Sequence, residues 1–253
     1  MFKSAAKFFL RAAFRVLPLT VRRTGLLRIR RSAFQVAAVT PEGFHSQKGQ
    51  DHRVSEILGG LKNGTFVEVG AFDGVTGSNS LYFERELGWS GLCIEPNPDA
   101  FVQLKACRET TCANVAISKH TGLVPFVKLS GSAAQLSGIE GKLKEEKVSR
   151  AVDTKRSVKS AFDVPSARLD DLLADFGIAR VDFLSVDVEG SELEVLQTLD
   201  FSAVNVTVIS VENSRCDNAI DLFLRSKGFV LSLTIGREEE IFTHKTWRPG
   251  RQR

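Results

Sequence analysis

Beyond residue 61, short apolar runs rich in Val and Ile recur at 65–69, 91–95, 112–117, 181–186 and 204–211. Between most of them the apolar positions fall as on one face of a helix, at 78–87, 98–108, 191–199 and 218–227. Strands that are apolar almost throughout, separated by helices, predict a mostly parallel sheet covered on both faces. Right-handed crossovers then make it a doubly wound α/β domain. The last part of the chain departs from this rhythm. Residues 229–235 read as a strand, 236–239 as a polar turn and 240–244 as a second strand, with no room for a helix. The sheet should therefore end in an antiparallel hairpin. Between Leu129 and Pro165 the alternation is lost, since 131–141 is small and polar and 142–159 densely charged. A stretch of that length inside a compact domain is usually functional or disordered. The polar insertion near 130–165 is read either as a solvated excursion or as a lid over an acceptor substrate.

The first 41 residues follow a different pattern. Lys3, Lys7, Arg11 and Arg15 lie four apart on one flank of a helix, with Phe2, Ala6, Phe9 and Ala13 on another, until Pro18 stops it. Nine basic residues and no acid fall in 1–41, which leaves 25 basic against 30 acidic residues in the remainder. The sequence pI near 8.9 is thus a property of the arm, and the body carries no signature of nucleic-acid binding. The apolar run of residues 1–17 is too short and too often broken by Arg to span a bilayer, which takes about 20 apolar residues. It also lacks the apolar stretch and cleavage site of a signal peptide. Peripheral contact with an anionic membrane, a mitochondrial presequence, and packing on the domain or on a partner are the readings left for it. The expected organisation is an arm over 1–41, a domain over 42–245 and a basic tail over 246–253.

At 43% hydrophobic and 25% charged residues the chain has an ordinary globular composition. Disordered, collagen-like and multi-span membrane classes are excluded. Four cysteines, at 93, 107, 112 and 216, show neither Cys-x-x-Cys nor paired His spacing. Reduced, mostly packed thiols in a reducing, cytoplasmic setting are expected rather than a zinc site or a disulfide framework.

The candidate chemistry gathers where the strands end. The first strand runs into Glu68-Val69-Gly70-Ala71-Phe72-Asp73-Gly74. Glycines there let the backbone approach a ligand, which binds at the carboxyl ends of strands in open α/β sheets. The spacing is not that of a dinucleotide loop, and Glu68 and Asp73 repel a pyrophosphate. They suit a cationic ligand bearing ammonium and sulfonium groups, as S-adenosylmethionine does. The second strand ends in Glu95-Pro96-Asn97, where an acid can take hydrogen bonds from both ribose hydroxyls; Asn97 or Asp99 can cap the helix that follows. The fourth ends in Asp187-Val188-Glu189-Gly190 and the fifth in Glu212-Asn213. Acids crowded at one rim cost free energy unless a ligand, metal or hydrogen bond compensates. Glu189 can alternatively serve the N-terminus of the next helix.

Four segments together resemble the FkbM family of S-adenosylmethionine-dependent methyltransferases: 46–51 (SQKGQD), 66–79 (FVEVGAFDGVTGSN), 87–98 (LGWSGLCIEPNP) and 181–196 (VDFLSVDVEGSELEVL). The resemblance spans roughly residues 44–243 and leaves the arm out. It implies a Rossmann-like class I methyltransferase fold and O-methylation of a hydroxyl on a sugar, glycan or related small molecule. It implies Glu68, Gly70 and Asp73 at the methionine end of the cofactor, Glu95 on the ribose and 114–116, with Ala116, beside the adenine. Asn79 and Asn97 join them as cofactor-binding candidates, and Asp187 would sit beside the methyl group and the acceptor. For the proton, Asp187 or Glu189 is expected to act directly, or Asp187 with Glu212 to hold a divalent cation, Mg²⁺ or Mn²⁺ rather than Zn²⁺. His45, His52 and His120 are candidate bases by residue type alone. The competing reading is a non-catalytic FkbM-like module associated with membranes.

Overall fold

The computed structural model describes residues 35–143, 145–155 and 157–248; the predicted helix of residues 1–17 lies outside them. Two sheets form. The main one takes β1 (Gln35–Val36), β2 (Thr65–Val69), β3 (Ser90–Ile94), β4 (Thr111–Ala113), β9 (Arg180–Val186), β10 (Asn205–Glu212), β11 (Phe229–Ile235) and β12 (Glu239–His244). The second takes β5 (Ala116–Ile117), β6 (Gly122–Leu129), β7 (Gly138–Ile139) and β8 (Lys159–Ala167).

In the main sheet the spatial order is β1-β11-β12-β10-β9-β2-β3-β4. All neighbours are parallel except around β12, which runs antiparallel to both β10 and β11. The predicted hairpin is present, and its final strand is wedged inside the sheet instead of closing an edge. This parallel sheet with one reversed strand is the Rossmann-like plan expected of a class I methyltransferase.

The apolar runs are explained by burial on both faces. Val67, Val69, Leu92, Ile94, Leu184 and Val186 enter one core, while Phe66, Cys93 and Phe183 point into the other. Successive side chains alternate between faces, so a strand covered twice has no face left for polar residues. The first core is closed by α5 (Leu169–Asp175), α6 (Glu192–Gln197) and α7 (Ala219–Ser226) through Leu173, Leu196 and Leu224. The second is closed by α1 (Gln50–Leu58), α2 (Leu81–Leu87) and α3 (Pro98–Cys107) through Val54, Phe83 and Leu104.

Three expectations are corrected. The run 112–117 is not one strand: β4 stays in the main sheet and β5 joins the second. Asn114 marks the break, its Nδ2 donating to the carbonyls of Glu95 and Pro96 at 2.7 and 3.1 Å. The insertion is not loop but supplies β7 and most of β8 to the second sheet, with α4 (Glu145–Lys155) between them in the chain. Pro125 and Pro165 lie within β6 and β8, and proline inside a run argues against a strand, which hid the pair β6–β8. Packing on the domain was one of the readings of the arm, and near its end Gln35 and Val36 pair parallel with Thr234 and Ile235. The thiols are all free, but Cys107 and Cys216 are exposed and only Cys93 is buried. Among the described residues no helix is long and apolar enough to cross a membrane.

Candidate active site

The carboxyl ends of β2, β3, β9 and β10 open onto one crevice, and the segment from β6 to β7 folds over part of it. Gly70 is the hinge of this arrangement. It has φ +88°, and a Cβ there would meet the carbonyl oxygen of Asp187 at 1.8 Å. Only glycine lets the loop after β2 lie against the end of β9, where the amide of Asp187 donates to the Val69 carbonyl at 3.0 Å.

Glu95, 6% exposed, ends β3. One carboxylate oxygen accepts from the Phe72 amide at 2.9 Å and the other from the Asn97 amide at 2.8 Å. Burial pushes its pKa up to about 7 against those two donors. A carboxylate offers about four acceptor positions, so each oxygen keeps one more. The cavity it faces is walled by Ile94, Val115, Ala116, Ile117 and, from the second sheet, Phe126 and Ile139. The insertion therefore covers this slot, and among its described residues Lys142 lines a second, neighbouring cavity.

Glu68 has a different occupation. Its carboxylate accepts from Ser78 Oγ at 2.9 Å, the Asn79 amide at 2.6 Å and Ser80 Oγ, with the Arg108 guanidinium at 3.5 Å. Arg108 is itself buried and bridges to Glu84 at 2.8 Å. Glu68 lines the crevice, but its acceptor capacity is filled by the chain, so it shapes the loop around residues 76–80 and is not free for a ligand. Asp73 likewise turns inward on its own loop, accepting from the amides of Val75 and Thr76 and from Thr76 Oγ1, and it lines neither the slot beside Glu95 nor the crevice beside Asp187. Asn97 is the N-cap of α3, accepting from the Asp99 amide at 3.2 Å. All three are thus engaged by the chain itself, Asn97 in the capping role expected as one of its two uses: polar side chains at strand ends serve loops and caps as readily as ligands. Asn79 stays in the crevice, with Nδ2 donating to Ser185 Oγ at 2.9 Å and Oδ1 buried without a protein partner.

Asp187, Glu189 and Glu212 do come together, with one carboxylate oxygen of each within 4.8 Å of the others. Asp187 keeps some exposed area, yet its carboxyl lies deep among protein atoms. That burial, and then the charges of Glu239, Glu212, Glu189 and Glu192, raise its pKa well above the usual aspartate value. Burial also pushes Glu192 up to about 7. Glu189 is held at φ +59°, an uncommon conformation for a residue with a side chain, worth about 1–3 kcal/mol of strain. Strain and like charge thus meet at the same place.

Lys48 and Glu239 belong to this crevice and were not singled out in the sequence. Lys48 reaches Glu239 at 3.0 Å and Glu238 at 3.8 Å. Burial works against its charge, but Glu239, Glu212 and Glu238 outweigh that and raise its pKa. The signal was present in SQKGQD, a segment that carried the resemblance without a role for Lys48. Glu239 opens β12, and only the insertion of that strand beside β10 brings it to the site. His45, His52 and His120 line none of these cavities. His52 meets the Phe44 ring edge-to-face instead.

A family model described as the methyltransferase FkbM domain matches residues 68–231, more than half of the chain. A curated relative, methyltransferase sdnD of Sordaria araneosa, is 28% identical, with 79% of this chain and 86% of the relative covered. Among solved structures, a methyltransferase FkbM from Methylobacillus flagellatus KT gives a TM-score of 0.46 at 14% identity, covering 72% of this chain and 44% of its own. This chain thus spans less than half of that one. A precorrin-6y C5,15-methyltransferase from Geobacter metallireducens GS-15 gives 0.42 at 14% identity, with 84% and 94% covered.

Proposed function

The chain belongs to the FkbM methyltransferase family, and on that premise we propose that it binds S-adenosylmethionine and methylates a hydroxyl on a sugar, glycan or related small molecule. One observation carries the reading: Glu95, with an acceptor position left on each oxygen, faces an apolar slot beside a glycine-floored crevice. A ribose fits the carboxylate and an adenine fits the slot around Val115, Ala116 and Ile117. Held by Glu95 and the slot around Ala116, the cofactor would supply an electrophilic methyl group for the acceptor oxygen.

The chain's own work is to align the acceptor and take its hydroxyl proton. Holding the two reactants together supplies much of the rate effect. Asp187 is the proposed base, because a carboxylate with a raised pKa accepts a proton more readily near neutral pH. Asp187, Glu189 and Glu212 are also a hard-oxygen set that suits Mg²⁺ or Mn²⁺, whose chemistry at this place would be to acidify the hydroxyl. The alternative of a non-catalytic module has no use for acids gathered at such cost and gains no support.

The test is calorimetric titration of the full chain with S-adenosylmethionine and S-adenosylhomocysteine, with and without Mg²⁺. Micromolar binding of both is expected. The Glu95→Ala variant should bind more weakly by roughly 1–3 kcal/mol, the scale of hydrogen bonds to a charged group. Unchanged affinity in that variant removes the ribose assignment, and no binding by the folded parent protein removes the proposal.

A further inference from the structure

Beside Glu212 lies a cavity of about 240 Å³ that the reading above leaves without a role. Its walls are the end of β10 with residues 213–215 and Asp217, the start of α6 and Lys142 beyond β7. The last two are held in close register: Gly190 has φ +131°, and a Cβ there would meet the Lys142 carbonyl oxygen at 2.3 Å. Lys142 Nζ also bonds Glu194 at 2.6 Å. The cavity is therefore built jointly by the main sheet and the second one.

Its charge changes sign with depth. The floor carries Glu192 and Glu212, at 5% and 6% exposure. The mouth carries Lys119 and Arg215, both exposed and without a salt bridge among the described residues, together with one exposed acid, Asp217; Lys142 and Glu194, also in the wall, offset each other as an ion pair. An anionic group placed at the floor meets two carboxylates, while at the mouth it meets two cations against one acid. A molecule with an anion at one end is thus admitted in a single orientation, with its neutral end toward Glu212 and the Asp187 cluster. The volume is below the roughly 300–1,000 Å³ of drug-sized ligand sites, which suits a compact ring.

We propose that this cavity is the acceptor site and that the acceptor is a small hydroxylated molecule carrying a carboxylate or a phosphate. The anion pairs with Lys119 and Arg215, and the hydroxyl to be methylated points to the carboxylate floor. This rests on the methyltransferase reading and adds the acceptor's charge to it. Lys119 and Arg215 become specificity-determining residues with no part in the chemistry.

The experiment uses the full chain saturated with S-adenosylhomocysteine, titrated with glucose, glucuronate and glucose 6-phosphate as matched probes. At least one anionic probe should bind tenfold or more tightly than glucose, with a preference that shrinks as salt is raised. The double variant Lys119→Gln, Arg215→Gln should lose that preference while binding S-adenosylhomocysteine as before. Comparing the two anionic probes distinguishes carboxylate from phosphate. Equal binding of all three, binding of glucose alone, binding of none, or a preference that survives the double variant overturns the proposal. Failure to bind S-adenosylhomocysteine at the outset strikes the methyltransferase reading instead.

Discussion

Glu68 and Asp187 stand at the ends of neighbouring strands, in β2 and just after β9, and face opposite electrostatic circumstances. Around Glu68 the chain supplies two hydroxyls, an amide and a guanidinium, and Arg108 passes the charge on to Glu84. Around Asp187 the chain supplies more carboxylates. Both arrangements put acids at the rim of one crevice. The first is complete without a ligand, whereas the second holds charge that a cationic or proton-donating partner relieves. A carboxylate whose acceptor positions are filled is framework, and one pressed against its own kind is poised for chemistry.

The largest effect that sharpens this contrast is expected at Asp187. Asp187→Asn keeps the shape and removes the base, so methyl transfer should fall by about 10²–10⁴-fold while cofactor affinity is retained. Single-turnover transfer and calorimetry on the same variant separate the two, and full activity would take Asp187 out of the mechanism. In the parent protein, transfer should decline as pH drops through the raised pKa of Asp187, well above the usual aspartate range.

Next comes Arg108, whose side chain is fully buried between Glu68 and Glu84. Arg108→Ala leaves two buried carboxylates without their counter-charge and should cost about 3–5 kcal/mol in urea unfolding. A loss under 1 kcal/mol would break the contrast, because Glu68 would then need no partner.

The smallest expected effect has the opposite sign. Glu192 is buried, with its pKa pushed up to about 7, so the folded protein holds a proton that the unfolded chain releases near pH 4.5. Its ionisation costs stability progressively as pH rises from about 4.5 through about 7. Glu192→Gln should therefore raise stability by at most about 3 kcal/mol above pH 8 and by nothing near pH 4. Gln can still accept the Gly190 amide that Glu192 accepts now. Thermal unfolding across that range checks it, and an equal gain at both ends would rule out a titrating group.

The predicted strand at 65–69 matches β2 in full, and the predicted helix at 98–108 differs from α3 by one residue. Such elements are fixed by local periodicity, turn glycines and a proline at a helix start, all of which are read in a window of a few residues. The strand-end positions of Glu95, Gly70 and Asp187 were legible for the same reason, since each follows an apolar strand directly. The capping use of Asn97 was legible too, whereas the hydrogen bonds of Asp73 within its own loop were not, because a short polar side chain near backbone amides has two uses and the choice between them depends on what lies across the crevice.

What the sequence alone determined is the parallel sheet with its reversed last strand, the family, and the set of strand-end acids, because burial on both faces dictates a pattern and each acid follows its strand. What only the tertiary structure decided is which acids are spent and which are left. Arg108 is 40 residues from Glu68, and Glu239 reaches Asp187 only because β12 inserts beside β10. The pair β6–β8, closed across the prolines of both strands through pairings between residues up to 44 apart, brings Phe126 to the slot beside Glu95. Charge and hydrogen bonding act over a few ångströms regardless of chain separation, so their balance is set where the fold brings the groups together.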